Sequence, residues 1–95
     1  MDNNTSSAKG LLIVMNEKGL HTRPSTELVK CANSFKAQVT LTYQNLSVSG
    51  KSLLGILTLA AGRGAKISVE AVGVDAKEAV ASLLALASNK FNIKY

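Results

Sequence analysis

His21, the single histidine of the sequence, is the residue whose type and position best suit chemistry. It stands directly before a segment with helical periodicity, and Thr22, Arg23 and Pro24 follow it. At the start of a helix the main-chain N–H groups lack intrahelical acceptors and the dipole is positive, so an anion is stabilised there. Histidine is a competent covalent nucleophile, and a phosphoryl group on its ring would meet the N–H groups of Thr22 and Arg23 and the guanidinium. This constellation predicts phosphoryl acceptance.

Other residue types that commonly carry chemistry are sparse in this sequence. Cys31 is the single cysteine, so we expect no disulfide framework and no metal-binding cysteine pair. We also expect no metal site and no cofactor. The triplet from Gly62 to Gly64 lacks the spacing of a phosphate-binding loop and is interpreted as a turn. A lone histidine is more often a helix cap or a surface residue than a reactive one. Because His21 is combined with Arg23 and a helix start, phosphoryl acceptance and a purely structural role are about equally well supported by these residues.

The segments that surround His21 have the periodicities of alternating strands and helices. Asp75 and Glu78 have the spacing of a capping box, and Gln44-Asn45 suits a tight hairpin turn. The predicted elements are a buried strand over 11–15, a helix from 22 to about 35, strands over 39–43 and 46–49, a helix over 52–61, a strand over 67–71 and a helix over 75–91.

This order of elements predicts an α+β fold, an open-faced sandwich with a four-stranded sheet and helices on one face. The length of 95 residues is sufficient for one packed domain. The composition, with 46% hydrophobic and 18% charged residues, excludes a disordered chain. Residues 1–9 lack apolar periodicity, so we predict a mobile tail and a single domain over residues 10–95. The apolar run from Leu11 to Met15 is too short to span a membrane, and we expect a cytoplasmic monomer without membrane insertion.

An excess of basic residues favours an acidic partner. Eleven Lys and Arg against six Asp and Glu give a formal net charge of +5. An acidic protein face, a nucleic acid or phosphate chemistry would suit this balance, and a merely soluble basic surface would explain it equally well.

The second predicted helix is apolar nearly all round, although a helix on a two-layer sheet buries only one face. We assign Ile56 and Leu59 to the core and expect Leu53, Leu54 and Leu57 to form an exposed patch that docks partners. The alternative is that the last helix covers this patch. Ser52 precedes the helix and suits its N-cap.

Two motifs of this sequence resemble those of the HPr family, the histidine phosphocarriers of the sugar phosphotransferase system. Residues 19–25 (GLHTRPS) resemble the active-site motif, and residues 50–59 (GKSLLGILTL) resemble the regulatory-serine motif. The likeness covers residues 10–91. It implies a βαββαβα fold whose antiparallel sheet has the order 1-4-2-3, with three helices on one face.

The same resemblance implies partners and residue roles. His21 would take a phosphoryl group from phosphorylated enzyme I and pass it to a IIA domain of a sugar permease, while Arg23 stabilises the transferred group. Ser52 matches the serine that is phosphorylated in organisms with an HPr kinase. The protein would then be a carrier rather than an enzyme.

The sequence departs from the usual family pattern at three positions. Thr22 and Ser25 replace commoner alanines without removing a main-chain donor, so the expectation of transfer holds. Lys66 stands where the family often has an acidic residue, which adds to the basic surface. The nitrogen-related paralogue shares the histidine motif, so His21 is compatible with either branch of the system.

Two functions from other classes compete with that of a phosphocarrier. An RRM-like nucleic-acid-binding domain has a related element order, but it stacks bases on aromatic residues of its central strands, and residues 11–15 and 46–49 contain none. A small-molecule regulatory domain would explain the fold but not the His-Thr-Arg-Pro helix start.

Overall fold

The computed structural model describes residues 6–95, and they form four strands, three α-helices and one short 3₁₀ turn. In chain order these elements are β1 (Ser7–Ile13), α1 (Thr22–Asn33), β2 (Gln38–Tyr43), β3 (Leu46–Ser49), α2 (Leu53–Thr58), β4 (Lys66–Val72), α3 (Ala76–Ser88) and the 3₁₀ turn (Lys90–Asn92).

The four strands form one antiparallel sheet in the order β1-β4-β2-β3. Side chains of β4 alternate strictly, so that Ile67, Val69 and Ala71 are buried beneath the helices while the residues between them face outward. The register places Ser68 beside Leu11 on one side and Thr42 on the other, so the uncovered face is largely polar. The predicted open-faced α+β sandwich is confirmed.

The first strand begins earlier than the sequence suggested. β1 starts at Ser7, which pairs with Val72, whereas the predicted tail extended to residue 9. Ser7 and Lys9 lie on the open face of the sheet, where a strand needs no apolar residue. The mobility predicted for residues 1–5 lies outside the described residues.

The first strand is also less buried than predicted. Leu12 and Val14 are fully buried, but Leu11, Ile13 and Met15 are exposed because the outer face of the sheet has no covering layer. The uninterrupted apolar run from Leu11 to Met15 therefore did not indicate that both faces of the sheet are covered at this strand.

The second helix ends earlier than predicted. α2 stops at Thr58 with Leu59 as its C-cap, and Ala60 adopts a positive φ of 50° that turns the chain. Ile56 and Leu59 lie in the core, as predicted. After the turn, Ala61 is buried and its carbonyl accepts a hydrogen bond from the Leu20 N–H at 2.9 Å.

The capping box predicted for the third helix is wrong. Asp75 is the N-cap of α3, but its carboxylate makes no bond to that helix. It accepts instead from the N–H groups of Lys36 and Ala37, at 2.9 and 2.8 Å, in the connection before β2. The bond from Lys36 is the main reason that the pKa of the Asp75 carboxyl is lowered.

The end of the third helix also differs from the prediction. α3 ends at Ser88, and the chain continues through a left-handed turn in which Lys90, Phe91 and Asn92 have φ values of 53°, 55° and 62°. Phe91 is fully buried, so the predicted core residue is correct although it does not lie on the helix. The hairpin turn at Gln44-Asn45 is confirmed, with both residues at positive φ.

Candidate functional site

His21 occupies the N-cap position of α1, with φ −86° and ψ −165°. Its carbonyl accepts the first hydrogen bond of the helix, from the Ser25 N–H at 3.0 Å, and its side chain makes no capping bond. Pro24 carries no N–H. The N–H groups of Thr22 and Arg23 are therefore outside the hydrogen bonding of the helix and free to meet an anion at this end.

The two ring nitrogens of His21 differ in their surroundings. The residue is half-buried, and Nε2 is covered without a hydrogen-bond partner among the described residues. Nε2 is thus closed to an incoming group. Any reaction of the ring with an external group would have to use the other nitrogen, Nδ1.

The loop before His21 is fixed by a close contact with the loop before β4. Gly19 has φ +71°, and a Cβ there would collide with the carbonyl of Ala61, so this position requires glycine. The Leu20 N–H donates to that same carbonyl. The buried Ser25 hydroxyl donates to the Leu20 carbonyl at 3.1 Å, so the serine that departs from the family pattern helps to hold the loop.

Arg23 is exposed on the first turn of α1, and its contact with the end of the chain was not predicted. Its Nη1 donates to the hydroxyl of Tyr95 at 2.7 Å, and its Cζ lies 5.8 Å from the centroid of the Tyr95 ring. Lys18 Nζ is also 5.8 Å from that centroid. Tyr95 is separated from Arg23 by 72 positions, and no local pattern in the sequence indicates the contact.

Carboxylates do not neutralise the guanidinium of Arg23. Within residues 6–95 the structure contains one ion pair, an exposed one at 3.5 Å between Lys30 and Glu27. The phenol of Tyr95 is a neutral acceptor, so Arg23 retains its full charge for an anion.

Ser52 is the N-cap of α2, and its Oγ accepts a hydrogen bond from the Gly55 N–H at 3.0 Å. The residue is half-exposed, and α2 contacts α1. On the same helix Leu54 is 75% exposed and Leu53 is 37% exposed, whereas Leu57 is half-buried. Two of the three patch residues thus have the predicted exposure, and the third has it only in part.

No metal site or membrane span is found in the part of the chain that the structure describes. Residues 6–95 contain no group of three or more His, Cys, Asp or Glu side chains that could hold a metal ion. Their helices are too short or too polar to cross a bilayer. Cys31 is half-buried on α1, where burial raises the pKa of its thiol and so keeps it protonated near neutral pH.

Comparison with known proteins assigns this arrangement to a family. Residues 9–89 match the family model described as the PTS HPr component phosphorylation site. The phosphocarrier protein HPr of Cupriavidus necator is 40% identical over 78 residues, which are 82% of this chain and 88% of that protein. The chain belongs to the HPr family, whose members are phosphocarriers and not enzymes.

Solved structures agree with this assignment. The structure described as HPr-C-His from Thermoanaerobacter tengcongensis superposes with a TM-score of 0.88 at 31% identity, covering 93% of this chain and 99% of that one. An HPr dimer from the same organism has a TM-score of 0.72 at 34% identity and covers 84% and 92%. The sheet order of this chain and its three helices are those of HPr structures.

Proposed function

We propose that this protein accepts a phosphoryl group on Nδ1 of His21 from phosphorylated enzyme I and passes it to a IIA domain of a sugar permease. The observation that carries the proposal is the position of His21 at the uncapped start of α1, with Nε2 covered. Membership of the HPr family supports the pathway.

The proposed step is a displacement at phosphorus. The lone pair of Nδ1 forms a bond to phosphorus while the bond from phosphorus to the donor breaks, and its electron pair remains on the donor. Negative charge stays on the phosphoryl oxygens. In this proposal the N–H groups of Thr22 and Arg23, at the uncapped helix start, and the Arg23 guanidinium stabilise that charge.

The direct test is incubation of the protein with phosphoenolpyruvate and enzyme I, followed by mapping of acid-labile phosphate. We expect one label, on His21, that disappears when a IIA domain is added. Running the reaction with enzyme I and IIA proteins of the sugar branch and of the nitrogen branch distinguishes the two pathways. Absence of label from both, or label on another residue, would overturn the proposal.

For Ser52 we propose regulatory phosphorylation by an HPr kinase/phosphorylase in organisms that have one. Its half-exposed hydroxyl lies at the edge of the patch formed by Leu53, Leu54 and Leu57, which we propose to dock enzyme I and IIA domains. A phosphate there would stand beside apolar surface that a partner has to desolvate.

The open face of the sheet does not support the nucleic-acid alternative. In the described strands that face consists mainly of serine, threonine and charged side chains, without an aromatic ring on which a base could stack. We propose that the carrier works as a monomer in the cytoplasm. Analytical ultracentrifugation tests the monomer, because one of its solved relatives is a dimer.

A further inference from the structure

The contact between Tyr95 and Arg23 joins the last part of the sequence to the proposed phosphoryl site. The Tyr95 hydroxyl accepts a hydrogen bond of 2.7 Å from Arg23 Nη1. The ring lies within cation–π distance of both Arg23 and Lys18.

The segment that carries Tyr95 is held in place by buried groups. Asn16 is fully buried, and its Nδ2 donates to the main-chain oxygens of Lys90 and Tyr95, both at 2.9 Å. Phe91 and Ile93 are also buried. These contacts bring the chain back from the end of α3 toward the start of α1.

The turn within this segment is unfavourable on its own. Lys90, Phe91 and Asn92 are consecutive and all have positive φ, a conformation that asparagine tolerates but that costs free energy for Lys90 and Phe91. Such a turn persists only where the surrounding structure enforces it, and strained segments of this kind cluster at functional sites. The turn is thus a second observation that singles out this segment.

We propose that Tyr95 is a positioning residue, which holds the Arg23 guanidinium beside the start of α1 in readiness for the phosphoryl group on His21. This inference rests on the function proposed above. The phenol occupies one of the five N–H groups of the guanidinium, so the others remain available to phosphoryl oxygens. An exposed arginine that is already oriented loses less side-chain freedom when the anion arrives.

The test compares four forms of the full chain: wild type, Tyr95→Phe, Tyr95→Leu and Tyr43→Phe. Tyr95→Phe removes the hydroxyl but keeps the ring near Lys18 and Arg23, and Tyr95→Leu removes both the hydrogen bond and the ring contacts. Tyr43→Phe is the matched control, because this tyrosine packs against the core from β2. The measurement is the rate of phosphoryl transfer from phosphorylated enzyme I at saturating donor, together with the half-saturating donor concentration.

We expect Tyr95→Phe to lower the saturated rate about 2- to 10-fold, the range of one ordinary hydrogen bond, with little change in half-saturation. Tyr95→Leu should be slower still, and Tyr43→Phe should match wild type. In the background of Arg23→Ala, adding Tyr95→Phe should have no further effect, because Tyr95 is proposed to act only through Arg23. A merely structural role would give the same loss in both backgrounds.

A measurement that does not involve phosphate tests the contact itself. In nitrogen–proton NMR spectra of the unphosphorylated chain, the Arg23 guanidinium signals should be dispersed in wild type and Tyr43→Phe but averaged by free rotation in Tyr95→Phe. Averaged signals in wild type would overturn the proposal.

The kinetic outcomes separate this inference from the function on which it rests. If wild type takes no phosphate, both fail. If wild type is labelled on His21 while Tyr95→Phe transfers at the wild-type rate or faster, or slows equally with and without Arg23, the positioning role alone is overturned.

Discussion

The starts of α1 and α2 differ in how their main-chain donors are satisfied. The N-cap of α2 is Ser52, whose Oγ accepts from the Gly55 N–H. The N-cap of α1 is His21, whose side chain makes no such bond. The start of α1 therefore has unpaired main-chain N–H groups that could bind an external anion. At the start of α2, one such N–H group is already bonded to the Ser52 side chain.

This difference leaves main-chain donors at the start of α1 without a side-chain cap, whereas the start of α2 has one. A serine cap is worth about 0.5 to 2 kcal/mol to a helix, and α1 forgoes that contribution. In its place the uncapped start has a half-buried imidazole and an arginine that forms no ion pair with a carboxylate of residues 6–95. Changes at the start of α1 should accordingly act on phosphoryl transfer directly, whereas a change at the start of α2 should act on it through the docking of a partner.

The largest effect is expected from His21→Ala, which should abolish phosphoryl acceptance. The fold should persist, because the side chain makes no hydrogen bond and lies at a junction between loop and helix. Acid-labile phosphate after incubation with enzyme I measures the first effect, and thermal unfolding followed by circular dichroism measures the second. Normal labelling of the variant would show that another residue is the acceptor.

Next in size is Arg23→Ala, which should slow transfer about 10- to 1,000-fold, the scale of one preorganised electrostatic contact. Transfer should not cease, since the N–H groups of residues 22 and 23 remain. Stopped-flow or quench measurements of labelling give the rate. Lys77→Ala is a suitable control, because it removes an exposed cation from the first turn of α3, outside the two loops that meet beside His21. Equal rates for Arg23→Ala and wild type would reduce Arg23 to a surface charge.

A smaller loss of transfer is expected from Ser52→Asp, roughly 10-fold or about 1.4 kcal/mol. The added anion lies at a helix start, where it is favourable by roughly 0.3 to 1 kcal/mol, so the melting temperature should hold or rise. The loss must then arise where a partner docks, and it should shrink at higher salt as repulsion is screened.

Ser52→Asn is the matched control for that charge, because it keeps a capping side chain of similar size without the anion. It should accept phosphate at nearly the rate of wild type. If Ser52→Asp also does so, or if its slow transfer follows a lower melting temperature, the regulatory role of Ser52 is excluded.

The smallest effect on transfer is expected at the third helix start, from Asp75→Ala. The Asp75 carboxylate accepts hydrogen bonds from the N–H groups of Lys36 and Ala37, and so links the start of α3 to the connection before β2. None of these residues is near His21 in the sequence. The variant should transfer phosphate normally but melt at a lower temperature at neutral pH. Glu78→Ala, in the first turn of the same helix, should melt close to wild type.

The stabilisation by Asp75 should also depend on pH. Its folded-state pKa lies below the unfolded value of about 3.9, so the contribution is complete above that value and is lost as the pH falls through the folded-state pKa. The melting temperatures of wild type and Asp75→Ala should therefore converge in that acidic range. A constant difference down to low pH would show that the carboxylate's charge does not matter.

Local patterns determined much of this fold. Alternating residues in β4 and the helical stripe that contains Leu28 and Ala32 placed these elements correctly, because each pattern reports which side of an element is buried. The patterns failed where burial depends on a neighbour. Ile13 is as apolar as Leu12, yet it is exposed because no layer covers that face of the sheet.

The kind of chemistry expected around His21 follows from local sequence, because chain connectivity alone keeps a histidine and an arginine within three positions at a helix start. Which atoms of these residues are accessible depends on tertiary contacts. The contact of Arg23 with Tyr95 and the hydrogen bond of buried Asn16 to Tyr95 both join segments that are more than 70 positions apart in the chain. The partners of the Asp75 carboxylate also could not be predicted from local sequence. Its spacing matched a cap, but two main-chain N–H groups from another connection compete for the carboxylate and bind it.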